Sequence, residues 1–369
     1  MSSKLPDTLI STLATHLDLS KSRQETLAGL IILLINVRTV NLTHVAAQFS
    51  ATAKVASSYR RLQRFFQFAR LDEDWLARAI IKLLKINPPW ILCLDRTNWK
   101  IGKSNVNILM LAVVTKRVRL PLIWTMLDKQ GSSNATERIA LMKRYLDIFG
   151  PGSIKYILAD REFIGPQWIG FLLQNKVLFS IRIKGKMYVT LDNGRTYLLE
   201  NLLKKPCMRG FLRKHAGRFT SMPKTGGTPL RFACKGLKGG ELLIIVTNSQ
   251  NPLEALRIYK KRWFIECMFA DSKTRGLNME DTAMSDLGKL SLLIAVVAIA
   301  MVWSYACASQ ELGRRSIPKA KHGYLRKSWF RTGFDLLRNL IYHNPDKAAE
   351  IWIKLWPQRP NSIKFSRVV

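Results

Sequence analysis

The run Pro88-Pro-Trp-Ile-Leu-Cys-Leu-Asp95 marks the point where the sequence changes from helical to strand-like periodicity. Its apolar part is short, follows two prolines and ends in a carboxylate, which predicts a buried β-strand. The run Ser153-Ile-Lys-Tyr-Ile-Leu-Ala-Asp160 repeats the pattern. The sequence therefore predicts a sheet in which two apolar strands each end in an aspartate.

The segments around these two runs alternate between strand-like and helical patterns. Strands are predicted at residues 106–114, 120–127 and 177–183, and helices at 135–148 and 166–175. Strands with intervening helices predict an α/β domain. Residues 187–240 are rich in glycine and bases with little helical periodicity, which predicts a β-rich insertion, and residues 241–248 return as a strand.

Residues 1–85 read as helical. Residues 24–37 form a long apolar helix, and residues 40–68 resemble two helices about a short turn, the second of which alternates bases with aromatics. This pattern resembles a helix-turn-helix that would place Tyr59, Arg60, Arg61 and Arg64 near DNA. The alternative is an amphipathic helix with a solvated basic face.

The stretch Tyr259-Lys-Lys-Arg-Trp-Phe-Ile-Glu-Cys-Met-Phe-Ala-Asp-Ser-Lys273 has its own signature. If it is one helix, about 100° per residue places Arg262, Glu266 and Lys273 within one narrow stripe with Tyr259. That stripe holds one carboxylate among two cations and a phenol, an arrangement suited to facing a phosphate. Each residue also has a structural alternative, as a core aromatic, an ion-pair partner or a solvated lysine.

Asp95, Asp160 and Glu266 are candidate metal ligands. Carboxylate oxygens suit Mg²⁺ or Mn²⁺, which keep open positions for water and phosphate. Two such ions can activate an attacking oxygen and stabilise a leaving oxygen in phosphodiester displacement. A single aspartate at a strand end is equally often a turn or cap residue.

Composition points to a polyanionic partner. The chain carries 59 Lys and Arg against 25 Asp and Glu, a formal charge of +34 on 369 residues, and nucleic acid is the partner that such charge favours. The five cysteines form no CxxC pair, which predicts reduced thiols in a cytoplasmic protein. The longest apolar run, residues 292–303, is short for a membrane span and typical of a core helix.

These residues resemble the cut-and-paste bacterial insertion-sequence transposases of the DDE superfamily, in particular the "IS-four" family with its Tyr-x2-Arg-x3-Glu-x6-Lys signature. Tyr259, Arg262, Glu266 and Lys273 match that signature at every spacing. Asp95 and Asp160 match the first and second catalytic carboxylates of the family. The resemblance covers nearly the full chain.

The resemblance implies an α/β fold with an RNase H-like catalytic core and a β-rich insertion, preceded by an all-helical DNA-binding domain and followed by a helical, basic region. The implied boundaries are 1–85 for the helical domain, 86–186 for the first part of the core, 187–240 for the insertion, 241–310 for completion of the core with the Glu-bearing helix, and 311–369 for the basic tail.

The resemblance also implies a mechanism. Asp95, Asp160 and Glu266 would bind two Mg²⁺ ions at a transposon end, and Tyr259, Arg262 and Lys273 would grip phosphates. Hydrolysis, hairpin formation, reopening and joining to target DNA would follow, carried out by a homodimer on paired terminal inverted repeats of double-stranded DNA. Such an enzyme is expected in the bacterial cytoplasm, associated with the nucleoid and not with a membrane.

One feature departs from the family. Relatives that form hairpins stack a flipped base on an insertion-domain tryptophan, and this sequence has none between Trp168 and Trp263. Phe211, Phe219 or Phe232 could substitute. Two other functions remain open, a non-catalytic DNA-binding repressor derived from a transposase and a metal-dependent nuclease that cuts without joining.

Overall fold

The computed structural model describes residues 4–191, 193–208, 213–219, 230–237, 239–321, 323 and 325–356. In these ranges the chain forms a mixed α/β protein around one large sheet. The helices are α1 Leu5–His16, α2 Lys21–Val37, α3 Leu42–Ala47, α4 Val55–Phe68, α5 Glu73–Leu83, α6 Ala135–Phe149, α7 Pro166–Gln174, α8 Leu199–Met208, α9 Pro252–Tyr259, α10 Trp263–Ser272, α11 Leu287–Leu312, α12 Trp329–His343 and α13 Pro345–Leu355. The strands are β1 Trp90–Ile101, β2 Ser104–Val114, β3 Arg119–Met126, β4 Ile154–Ala159, β5 Phe179–Ile183, β6 Tyr188–Leu191, β7 Thr196–Leu198, β8 Arg213–Phe219, β9 Leu230–Gly236 and β10 Leu242–Thr247.

The described strands form a single sheet of mixed direction in the order β3-β2-β1-β4-β5-β10-β9-β8-β6-β7. Strands β1, β2 and β3 form an antiparallel meander, whereas β4 pairs with β1 and β5 in parallel. The central strands are buried along most of their length, because helices cover them. The parallel pairs need crossover connections, which α6 and α7 provide.

The glycine-rich segment extends the same sheet. Strand β10 pairs antiparallel with both β5 and β9, so the strands of the insertion continue directly from the core. The segment also contains α8, which its sequence did not predict. The side chains of residues 204–229 lie outside the part of the chain that the structure describes, and Phe211 and Phe219 are among them. The third candidate for base stacking, Phe232, is fully buried in β9 and is a core residue.

A helical layer packs around α11. This helix is long and apolar enough to span a membrane, but 94% of its most apolar window is buried inside the protein, as expected for a core helix. It contacts the helices α2, α4, α5, α12 and α13 and the strand β3. The region 311–369, predicted as a basic tail, thus contributes two helices, α12 and α13, to this layer.

The approach of α12 to α11 requires a glycine. A Cβ atom at Gly333 would lie 1.8 Å from the backbone oxygen of Ser304 and 2.9 Å from the Cβ of Ala308. Any larger residue would force the helices apart, so this position fixes how the C-terminal helices join the layer.

Three of the described cysteines, Cys93, Cys267 and Cys307, are free thiols. Cys234 in β9 is disulfide-bonded. The prediction that all five cysteines are reduced is therefore wrong at that position.

Candidate active site

The two aspartates follow the parallel pairing of β1 and β4. The last paired residues are Leu94 and Ala159, so Asp95 and Asp160 come next on neighbouring strands. Asp160 follows the end of β4, as predicted. Asp95 does not end its strand, because β1 continues to Ile101 in register with β2. It lies where β1 loses its parallel partner but keeps its antiparallel one.

The signature segment is not one continuous helix. Helix α9 ends at Tyr259, residues 260–262 form a 3-10 turn, and α10 begins at Trp263. Lys273 is the C-cap of α10 and leaves the helical conformation. Arg262 and Glu266 lie i,i+4 and touch, as the predicted stripe requires, whereas Lys273 lies at the position where α10 ends.

Arg262 connects two of the three predicted carboxylates. Its Nη1 donates to Oδ2 of Asp95 at 3.3 Å, and its Nη2 donates to Oε1 of Glu266. Burial opposes the charge of Arg262, but Tyr259, Glu266 and Asp95 outweigh that effect and raise its pKa. A guanidinium held by two carboxylates stays charged and fixes their separation.

Tyr259 contacts the third carboxylate. Its hydroxyl lies 3.5 Å from Oδ1 of Asp160, at the outer limit of a hydrogen bond. The ring is 5% exposed, and burial raises the pKa of Tyr259, with the nearby Arg262 charge opposing the shift. The phenol is therefore a neutral donor placed between Arg262 and Asp160.

Asp95 is ionised at a cost. Burial raises the pKa of Asp95 to about 6, although the backbone N–H of Arg96 and the charge of Arg262 act in the opposite direction. Glu162 and Glu266 add to the rise through like charge. A carboxylate in this state gains from any further cation brought beside it.

A second group of polar residues, Arg96, Asn107 and Glu162, lies beside the site. Arg96 pairs with Glu162 at 3.3 Å and donates to Oδ1 of Asn107 at 2.9 Å. The Asn107 amide in turn donates to the carbonyl oxygens of Lys129 and Gly131. The sequence signal for Arg96 is that an arginine directly follows each aspartate, in Asp95-Arg96 and Asp160-Arg161, and the structure shows that Arg96 holds Glu162.

Lys273 lies apart from this cluster. Its Nζ is 2.6 Å from Glu280 and 5.2 Å from the ring centre of Trp99 on β1. The structure thus groups Asp95, Glu266 and Arg262. Asp160 is in contact with Tyr259, and Lys273 pairs with Glu280 instead.

The three carboxylates have the right chemistry to bind a divalent cation, but in this structure they are not arranged around a common position for one. Their oxygens are the donors that Mg²⁺ and Mn²⁺ prefer, and desolvated Asp95 favours a cation. Among the described residues, however, no three acidic, histidine or cysteine side chains are grouped as a metal site. Arg262 supplies the positive charge between Asp95 and Glu266, so a metal ion there requires Arg262 to move.

The four predicted DNA contacts on α4 have different environments. Arg60 and Arg64 are exposed and Tyr59 is half-buried. Arg61 instead pairs with Glu25 at 2.9 Å, donates to Thr26, and lies over the Phe49 ring. Arg61 therefore joins α4 to α2, whereas Arg60 and Arg64 present charge to solvent.

A comparison with protein-family models covers the sheet and the candidate site. The family model described as the transposase DDE domain matches residues 86–303, a range that contains Asp95, Asp160 and Glu266. No curated protein matches the chain. Among solved structures it is similar to piggyBac transposase in a synaptic complex with hairpin DNA, with a TM-score of 0.49 and 12% identity over 98% of this chain and 81% of that one.

Proposed function

Because the chain belongs to the transposase DDE domain family, whose model covers residues 86–303, we propose that it catalyses cut-and-paste transposition of an insertion sequence. The family is that of DNA-acting transposases, and its members generally use divalent metal ions. Within it, we assign the chain to the "IS-four" group on the strength of Tyr259, Arg262, Glu266 and Lys273. The strand order β3-β2-β1-β4-β5 supports an RNase H-like core.

The observation that carries the proposal is the junction at Arg262. Two carboxylates from distant parts of the chain, Asp95 and Glu266, bind the same guanidinium, and Asp160 lies on the next strand. Isolated carboxylates are costly to bury, and neither caps a helix or closes a turn. Their shared position suits a cationic ligand such as a divalent metal ion.

Asp95, Asp160 and Glu266 would hold two Mg²⁺ ions, or Mn²⁺ in their place, which activate the attacking oxygen and stabilise the leaving oxygen. Arg262 would then exchange its carboxylate partners for a phosphate, for which its fork of N–H donors is suited. Tyr259, which has a single O–H donor, would turn it from Asp160 to the same phosphate. Lys273 would place a positive charge beside the neighbouring phosphate of the DNA backbone.

In the proposed reaction, hydrolysis nicks one strand, and the freed 3′-OH attacks the opposite strand to form a hairpin. A second hydrolysis reopens the hairpin, and the freed 3′-OH ends then join target DNA. We propose a homodimer on paired terminal inverted repeats, acting on double-stranded DNA in the bacterial cytoplasm and nucleoid. The hairpin step lacks the support of an insertion-domain tryptophan.

The test is cleavage of DNA carrying the sequences that flank this gene, with Mg²⁺ and with EDTA. Wild type is compared with Glu266→Gln, Asp95→Asn and Asp160→Asn. Glu254→Gln is the matched control, because Glu254 is an exposed carboxylate on the preceding helix α9. We expect cleavage in wild type and the control, and a loss of at least about 100-fold in each of the other three.

Full activity in any of the three variants, with normal folding, contradicts the assignment of that carboxylate. Specific binding without cleavage in every protein favours the repressor. Cleavage without joining of pre-cut ends to a target favours the nuclease.

A further inference from the structure

A basic cleft of about 420 Å³ opens at the ends of β5 and β10, where the core sheet meets the insertion. Four cations and two carboxylates line it: Arg161, Arg182, Lys184, Lys186, Glu200 and Glu241. Neither the family signature nor the three-carboxylate site includes these residues.

The cleft borders the candidate active site. Arg161 directly follows Asp160 in the chain. On the adjacent strand, Ile181 pairs with Ala159, so Arg182 lies beside the start of the Asp160 segment. Arg182 is also close enough to Tyr259 for its positive charge to counter the burial that raises the pKa of that phenol. A strand of DNA leaving the active site in this direction would enter the cleft at once.

The positive charge of the cleft is only partly neutralised. Arg182 forms an ion pair with Glu241. By contrast, Arg161, Lys184 and Lys186 form no ion pair with any described residue, and both lysines are exposed. With Glu200 also in the lining, four cations face two carboxylates, and this excess of positive charge favours a ligand with repeated negative charge.

The described lining of the cleft offers little for recognising bases. No aromatic side chain is among the described residues that line it, and Phe232, on nearby β9, is fully buried. Base binding in single-stranded segments depends on aromatic faces, whereas contacts from Lys and Arg to phosphate are independent of sequence.

We propose that this cleft binds the sugar–phosphate backbone of the DNA strand next to the scissile phosphodiester, without stacking or reading its bases. The proposal rests on the proposed transposase function. In it, Arg161, Lys184 and Lys186 bind phosphates next to the reacting one. Binding of the flanking strand is then a separate function from the chemistry at Asp95, Asp160 and Glu266.

The test compares Lys184→Gln/Lys186→Gln with a matched control, Lys143→Gln/Lys155→Gln. The control lysines are also exposed, and Lys155 lies near the start of β4, at the opposite end from Asp160. Affinity is measured over a range of salt for two duplexes, one ending at the cleavage position and one continuing into flanking DNA.

We expect the cleft variant to bind the longer duplex about tenfold or more weakly, with the slope of log K against log salt reduced by about 2. Its affinity for the shorter duplex should equal that of wild type, as should the control's affinity for both. Changing the flanking sequence, or removing its bases to leave abasic sites, should not alter the loss.

An equal loss on both duplexes, or in the control variant, overturns the cleft assignment. A wild-type protein whose affinity falls when abasic sites replace the flanking bases overturns it in favour of base stacking. The proposed function fails separately: if wild type never cleaves but the cleft variant still loses affinity for flanking DNA, the cleft remains a backbone site on a non-catalytic protein.

Discussion

Arg262 and Asp95 face each other across the candidate active site, with Nη1 3.3 Å from Oδ2 and side chains that are 14% and 17% exposed. Asp95 comes from the strand before the insertion and Arg262 from the turn after it. The ion pair therefore links the part of the core before the insertion to the part after it. Arg262 also holds Glu266.

Removing Arg262 should leave a desolvated carboxylate without its cation. We expect Arg262→Gln to lower the free energy of unfolding by about 2 kcal/mol. In a double-mutant cycle with Asp95→Asn, the coupling energy should be about 1–2 kcal/mol. Denaturant unfolding of the four proteins measures both quantities.

The control for this cycle is Arg315 with Glu311, an exposed pair 4.0 Å apart. Solvent screens such a pair, so its cycle should show no measurable coupling. Equal coupling in both cycles would mean that Arg262 and Asp95 are not specifically linked in the folded protein.

Asp95 should make stability depend on pH. Its folded pKa of about 6 lies above the ordinary value of 3.8, so the folded state keeps the proton to higher pH than the unfolded chain. The stability that this proton contributes is present below pH 3.8 and is lost as pH rises through 6. Between pH 5 and pH 7.5 we expect a loss of about 1 kcal/mol.

Asp95→Asn cannot lose that proton and should lack this part of the pH dependence. The comparison must be with wild type, because burial also raises the pKa of Asp271 to about 6, against the charges of Arg119, Arg275 and Arg331. Asp271 contributes to both proteins and cancels. Identical pH profiles for wild type and Asp95→Asn would contradict the raised pKa.

Most of the sheet could be predicted from the sequence because its strands are apolar runs bounded by turn residues. The continuation of β1 beyond Asp95 could not, because residues 96–101 are mostly polar and form a strand through pairing with β2. The 3-10 turn at residues 260–262 could not be predicted from the sequence either. A helical pattern predicts which residues share a face, but it does not predict a local change in winding such as the one before Trp263.

Carboxylates and bases of the right type at fixed spacing made Asp95, Asp160, Glu266 and Arg262 candidates in the sequence, and the structure brings Arg262 into contact with Asp95 and Glu266. That Arg262 holds two of these carboxylates, while Arg96 holds Glu162 instead, depends on side-chain directions in three dimensions. The same limit applies to Arg61, which the basic pattern of α4 did not distinguish from Arg60 and Arg64.

Lys273 should contribute to DNA affinity only after it leaves Glu280. We expect Lys273→Gln to reduce the slope of log K against log salt by about 1, as for one lost phosphate contact. Glu280→Gln should raise affinity, because it releases Lys273 from an ion pair of 2.6 Å. Binding titrations from 50 to 200 mM salt measure both, with exposed Lys143→Gln as the control.

If Lys273 is instead a structural residue that covers Trp99, the outcome differs. Lys273→Gln would then lower the thermal midpoint without changing the salt slope. Glu280→Gln would leave DNA affinity unchanged.

The arginines of α4 should separate into two classes. Arg60→Gln/Arg64→Gln should weaken DNA binding and lower the salt slope by about 2, because both side chains are exposed and each would lose a phosphate contact. Their removal should leave the thermal midpoint unchanged. Arg61→Gln should lower the midpoint instead, since it breaks the contacts with Glu25, Thr26 and Phe49 that join α4 to α2.

The measurements are salt-dependent binding to DNA that carries the element's ends and thermal unfolding of the same preparations. Arg78→Gln, on α5, provides an arginine control in the same helical region. A solvated basic face with no DNA contact predicts that the double variant binds like this control. A loss of affinity in Arg61→Gln at full stability would show that Arg61 contacts DNA despite its pairing with Glu25.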